Sequence, residues 1–340
     1  MKWVIKIIFL FYFLTILTTC NSIPTEPEPL PGRRDYVWTI DTINPGNEAL
    51  YLGRIWGKFP NDVWAVGSGS WTATNIWHYN GVQWRCDSIP RYVQPSAIFG
   101  IEKNQVWLGN DNNTIWLYNG IQWKKFGEYN ISGYDQTCIN YFDGTSSSNI
   151  YGVGFVEARG KKLWKAIIMR YNGIEWNFIN VPAMKVSFET VAIETKSNIL
   201  VMSGTVYDPS GFVAKVYCWD GRELKELLSD FGWSFVTKLG GDIFATLGSR
   251  IFKYSNKNLV LWKDNTGTGI NGNIICGRNK NDFFIGSYTN GIVHYNGTDF
   301  TLIYNTNLTV ERGMIFEKDV FFIGLDYVKG KNYIIRGKLK

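Results

Sequence analysis

Asp62-Val63-Trp64-Ala65-Val66-Gly67, followed by His78-Tyr79-Asn80-Gly81-Val82-Gln83-Trp84, is the stretch from which the rest of the chain can be read. The pair recurs. Gln105-Val106-Trp107 precedes Tyr118-Asn119-Gly120-Ile121-Gln122-Trp123, and Asn149-Ile150-Tyr151 precedes Tyr171-Asn172-Gly173-Ile174-Glu175-Trp176. Weaker copies are Asn198-Ile199-Leu200 with Trp219-Asp220-Gly221, Asp242-Ile243-Phe244 with Tyr254, and Asp282-Phe283-Phe284 with Tyr295-Asn296-Gly297. A seventh begins at Asp319-Val320-Phe321. Measured from Trp64 through Trp107, Tyr151, Leu200, Phe244, Phe284 and Phe321, the spacings are 43, 44, 49, 44, 40 and 37 residues.

Each part of the repeat carries a structural instruction. An apolar segment (Ile55, Ile98, Ile139, Val191, Phe235, Ile274, Ile315) precedes a turn ending in Asp, Asn or Gln, residues that can bond their own following amides. The alternation in Val63-Trp64-Ala65-Val66 predicts a half-buried second strand. A third strand ends in Tyr or Trp, and Asn-Gly directly afterwards predicts a type I′ hairpin, whose two central residues need positive φ. The aromatic or Leu five residues beyond each Tyr then pairs across that hairpin. A repeat of this length is a four-stranded propeller blade. One blade cannot bury both its faces, so the blades must stack in a ring. The expected fold is all-β: a seven-bladed β-propeller of four-stranded antiparallel blades.

The seventh copy supplies three strands, ending with residues 333–338. Near the other end, Val37-Trp38-Thr39-Ile40-Asp41 matches the fourth strand of the first copy, Gln83-Trp84-Arg85-Cys86-Asp87. The segment around Trp38 is therefore expected to complete the last blade and so remove an open sheet edge.

Composition agrees with this reading. Of 340 residues, 45% are apolar and 19% charged, with 15 Trp, 19 Tyr, 21 Phe and 35 Gly, which favours short strands and tight turns over helices. The net charge of +6, or +4 without Lys2 and Lys6, is too mild to imply nucleic acid. Residues 1–19 read as a signal peptide, a positive start followed by the apolar run Ile7 to Leu17. Leu17-Thr18-Thr19-Cys20 resembles the bacterial lipobox, with Thr19 departing from the usual small residue, and the resemblance implies lipid on Cys20. Residues 20–33, with Pro24, Pro27, Pro29 and Pro31, form an extended tether, and residues 34–340 form the propeller. Asn21 after the Cys resembles outer-membrane lipoproteins. The expected address is thus the bacterial outer membrane, facing the periplasm or the cell surface, with the membrane engaged through the N-terminal lipid.

The pattern Ile-x-Gly-x-x-x-x-x-Val-Trp-x-Gly, then Ile-Trp-x-Tyr-Asn-Gly-x-x-Trp, is similar to the propeller repeats of two-component-regulator-type sensor ectodomains and related secreted bacterial propellers. The resemblance covers residues 34–340. It implies architecture and is nearly silent on chemistry, because propellers host hydrolases, lyases and pure binding scaffolds.

Chemistry-bearing residues are few. The two histidines, His78 and His294, each sit one residue before the hairpin Tyr, where other copies carry Leu117, Arg170, Cys218 or Lys253, so they read as strand residues rather than metal ligands. Gly267 to Gly272 spells a dinucleotide fingerprint, but Asn273-Ile274-Ile275-Cys276 reads as a strand where that motif needs a helix. No cofactor or metal is expected. Cys86, Cys138, Cys218 and Cys276 fall on strands of different blades, so buried free thiols are expected in place of the two disulfides their number suggests. Arg222 to Leu228 has helical spacing, but the repeat register makes it an outer strand.

What remains is a surface. Blades three and four are the long ones, and their inserts, Glu157 to Trp164 and Tyr207 to Phe212, should lie in loops on one face. Trp71, Lys161, Lys162, Trp164, Tyr207, Phe212, Trp233 and Tyr288 are the ligand-face candidates, since aromatics beside polar groups stack on sugars or anchor proteins. The expected function is a monomeric, lipid-anchored envelope binding module with a protein partner. Alternatives are a carbohydrate-binding propeller and a glycan-active hydrolase or lyase, which would need paired carboxylates near the channel.

Overall fold

Each hairpin between a third and a fourth strand is built by the Asn or Asp that follows the aromatic. Asn80 Oδ1 accepts hydrogen bonds from the backbone amides of Val82 and Gln83, both at 3.0 Å. Asn119, Asn172, Asp220 and Asn296 make the same pair of bonds in their blades. Tyr79 pairs directly with Trp84, so four residues turn the chain, and positive φ falls on the Gly alone: 91° at Gly81, 90° at Gly120, 99° at Gly173. This corrects the expected type I′ turn. An Asn side chain that caps two amides makes the wider loop self-sufficient, and Tyr79 Oη adds a bond to Gly81 O at 2.9 Å. The type I′ geometry occurs instead in blade five, where Asn256 (φ 50°) and Lys257 (φ 58°) separate the paired Ser255 and Asn258.

A computed structural model describes residues 28–70, 73–161, 163–208, 211–270, 274–286 and 291–340 of the chain. Cys20, Trp71, Lys162 and Tyr288 lie outside the described residues. The strands form seven four-stranded antiparallel sheets. Six are sequential, beginning with Leu50–Phe59, Asp62–Gly69, Ile76–Tyr79 and Trp84–Cys86. In the seventh, Tyr36–Ile43 pairs with Lys331–Leu339, beside Asp319–Asp326 and Thr309–Ile315. The register runs from Tyr36 opposite Leu339 to Ile43 opposite Asn332, which is the expected closure of the last blade by the N-terminal strand. The first strand of every blade touches that of the next, and Thr309–Ile315 touches Leu50–Phe59, so the inner ring is closed.

The second strands are buried on both faces, against the half-buried expectation; all of Val63, Trp64, Ala65 and Val66 are at most 3% exposed. Stacking explains it, because each second strand lies between two neighbouring sheets. Trp64 meets Tyr118 (4.9 Å) and Trp123 (5.3 Å, edge-on) of blade two, and Trp107 meets Tyr171 and Trp176 of blade three in the same way. Thus the Trp of one repeat is read by the Tyr and Trp of the next. Phe321 closes the circle against Tyr79 (5.7 Å) of blade one. Asn332 ties the same seam, bonding the amide of Leu52 and the carbonyl of Leu50 at 2.8 Å each.

Leu224–Phe231 is the outer strand of blade four, with a register shift opposite Val216/Tyr217 that accommodates its irregular pattern. The inserts of blades three and four, expected as loops, instead lengthen the hairpins between the second and third strands. Asn149–Ala158 pairs with Leu163–Tyr171, and Ile199–Asp208 with Gly211–Trp219, so only four and two residues lie between the paired strands. Extra residues that continue a ladder satisfy their backbone groups, which a loop of equal length would leave to water.

Candidate functional site

The lengthened hairpins carry Trp164, Tyr207 and Phe212 into one ridge, which Trp233 extends. Trp164 lies edge-on to Tyr207 (5.8 Å), Tyr207 edge-on to Phe212 (5.3 Å), and Phe212 packs on Trp233 (4.8 Å). They come from blades three and four and from the link into blade five. Tyr207, Phe212 and Trp233 remain 51%, 44% and 39% exposed, so these rings pack on one another without being covered. Lys161 ends a 3-10 turn (Arg159–Lys161) beside them and is exposed.

Next to the ridge opens the mouth of the central channel. Glu157 pairs across its ladder with Trp164 and also lines a cavity of about 400 Å³, together with Tyr51, Arg54, Gln94, Asp111 and Arg159. Arg159 is held over this cavity by a 2.8 Å bond from Nε to Gln136 Oε1. Burial raises the Asp111 pKa, partly offset by Arg159, and Asp111 Oδ1 has no hydrogen-bond partner among the described residues. Burial also raises the Tyr207 phenol, with Glu189 and Glu157 adding to the effect. The mouth therefore offers a cation, an acceptor and a phenol beside an apolar ridge. Sequence reasoning missed Arg54, Asp111 and Glu189, because only ring closure brings their strands together.

Deeper in the channel, Glu189 sits on a bulge of its first strand, and Arg54 and Arg312 directly follow bulges of theirs. Arg54 bonds Asn140 O from Nε (3.3 Å) and Nη2 (3.2 Å), reaching past blade two. Burial, then the facing charge of Arg312, pull its pKa down to about 10, which leaves it cationic at neutral pH. Glu189 faces the two arginines; burial nonetheless raises its pKa. At the other end Lys238 spans blade four to sit 2.6 Å from Asp143 Oδ2, and Asp143 also accepts from the amides of Ile193 and Gly144. These ties bridge non-adjacent blades and fix the ring's diameter.

The histidines belong to a repeated pairing within blades. Asp62 takes His78 Nε2 at 2.7 Å and Asp282 takes His294 Nε2 at 2.8 Å; the same positions in blades five and seven hold Asp242–Lys253 and Asp319–Arg336. Since a lysine and an arginine serve equally, the pair joins second and third strands and needs no imidazole chemistry. Among the described residues no three His, Cys, Asp or Glu side chains are grouped to hold a metal ion. All four described cysteines are free; Cys138 and Cys218 are buried, while Cys86 and Cys276 are only partly so. No described helix is long and apolar enough to cross a membrane.

No family model and no curated protein matches the sequence. Solved structures do match in fold. YCF48 bound to D1 peptide superposes with a TM-score of 0.63 at 11% identity, covering 94% of this chain and 100% of that one. The extracellular domain of a hybrid two-component system from B. thetaiotaomicron superposes with a TM-score of 0.55 at 12% identity, covering 87% of this chain and 40% of that one. At such identities the likeness is one of fold.

Proposed function

We propose that the protein is a lipid-anchored binding module of the cell envelope that grips an extended segment of a partner protein on the face bearing the ridge. The observation that carries this reading is the continuity of the ridge Trp164–Tyr207–Phe212–Trp233 with the polar mouth at Glu157. A peptide presents both chemistries at close spacing. Its apolar side chains would lie over the rings, while its backbone amides and polar groups would meet Asp111, Tyr207 and Arg159. That YCF48 has been solved with a peptide supports a propeller of this shape in such a role. Lipid on Cys20 would keep the module at the membrane.

A photo-reactive residue placed at Phe212 tests the reading in intact envelopes. A discrete polypeptide adduct is expected, and Trp233→Ala or Tyr207→Ala should reduce it about tenfold or more, as truncation of an aromatic anchor typically does. Adducts to polysaccharide, or polypeptide adducts indifferent to both substitutions, would overturn it.

A further inference from the structure

The opposite face, formed by the turns between first and second and between third and fourth strands, carries its own pattern. Val82, Ile121 and Ile174 each follow the Gly of the four-residue hairpin in blades one, two and three, and are 82%, 83% and 81% exposed. The turn does not ask for an apolar residue there. What it uses at that position is the backbone amide, bonded to the Asn, and blades four and six place Arg222 and Thr298 at the same point with the same bonds. Three neighbouring blades thus present bare β-branched side chains without a folding reason. Between the first two tips lies a cavity of about 400 Å³ lined by Lys103, His78, Asn80, Asp62 and Phe59, the last 49% exposed, with the Asp62 carboxylate engaged by His78 Nε2 at 2.7 Å.

The chain itself enters on this face. Gly32 donates its amide to Asn281 O in the first turn of blade six, at 3.1 Å. A Cβ on Gly32 would stand 2.5 Å from Asp282 Oδ1, so the entry point is closely fitted. Gly32 lies only twelve positions after Cys20, a reach of roughly 40 Å at most. A membrane holding Cys20 would therefore lie near this face.

We propose that the face carrying Val82, Ile121 and Ile174 rests on the bilayer, the three side chains entering the interface and Lys103 meeting lipid phosphate in the cavity between them. This deepens the membrane-anchoring part of the proposed function and leaves the ridge turned away from the lipid. Short apolar tips give weak binding alone, which a covalent lipid would convert to stable seating.

The test omits the acyl group, so that its failure and a failure of Cys20 acylation are distinguishable. The chain from residue 20 onward, carrying Cys20→Ser, Cys86→Ser and Ile121→Cys and labelled with an environment-sensitive fluorophore, is mixed with vesicles of phosphatidylethanolamine and phosphatidylglycerol. The same label at Val328→Cys, 96% exposed in the turn between second and third strands of blade seven, is the control for the other face. A blue shift at position 121 but not at 328 is expected, and Val82→Asp with Ile174→Asp should lower the bound fraction about tenfold. No shift at 121, equal shifts at both positions, binding unchanged in the Asp variants, or a shift that follows protein concentration without vesicles would each overturn the proposal, the last assigning the tips to a second copy.

Discussion

Arg34 donates from Nε to Nδ1 of His294, 3.3 Å away and 260 positions further along the chain. An arginine has no acceptor, so this bond fixes the ring: Nδ1 accepts, and Nε2 carries the proton towards Asp282. The same guanidinium bonds His294 O (3.2 Å) and Asp299 O (2.6 Å). The segment that completes blade seven is thereby stitched to blade six before its strand begins.

This stitching makes the N-terminal strand a keystone. Removing residues 33–43 should abolish cooperative unfolding in chemical denaturation. Trp38→Ala should cost about 2–4 kcal/mol, because Trp38 packs on Tyr36, Tyr304 and Phe322. Arg34→Ala should cost less. A truncated protein that unfolds with the wild-type midpoint would refute the closure as a source of stability.

Acid should loosen the same seam. Burial penalises the Asp282 charge, but the hydrogen bond from His294 and the charge and bond of Arg278 outweigh it and hold the carboxyl below its ordinary value of 3.8. A depressed folded-state pKa contributes stability above the unfolded-state value, lost as pH falls through the folded one. Unfolding midpoints measured from pH 6 downward should therefore fall more steeply below about pH 4 in the wild type than in Asp282→Asn. Parallel curves would mean that the carboxylate is not coupled to folding.

Thiol chemistry should be suppressed in the native state. Burial pushes Cys138 and Cys276 up to about 12 and raises Cys86 and Cys218 as well. Since the thiolate is the reactive form, a thiol reagent at pH 7 should modify the native domain slowly, beginning at half-exposed Cys86, and should count all four after denaturation. A lower count in denaturant without reductant would reveal a disulfide.

Much of the architecture was legible because the repeat is local. The Trp of each second strand, the Tyr ending each third and the aromatic five residues on recur within about forty residues, and the match of Trp38 to Trp84 disclosed the closing strand. The hairpin type is not legible at Asn80, where a side-chain cap competes with the backbone geometry that Asn-Gly usually signals. Alternation in Val63 to Val66 speaks of one sheet and so predicts half-buried second strands, whereas Trp64 is covered by its own blade and the next. Among the candidate site residues, Trp164, Tyr207, Phe212 and Trp233 could be picked as loop aromatics, but not their order in space.

Sequence alone determined the number of blades, the strand order within each and the identity of the strand that closes the ring. These follow from pairings and turns between near neighbours, and from one repeat matched to another. Only the tertiary structure decided which side chains share the channel, as Arg54, Glu189 and Arg312 do, and which face holds the aromatic ridge. The channel encounters join residues about 120 to 260 positions apart, and their geometry is set by the angle at which seven sheets must pack to close, a quantity that no single repeat encodes.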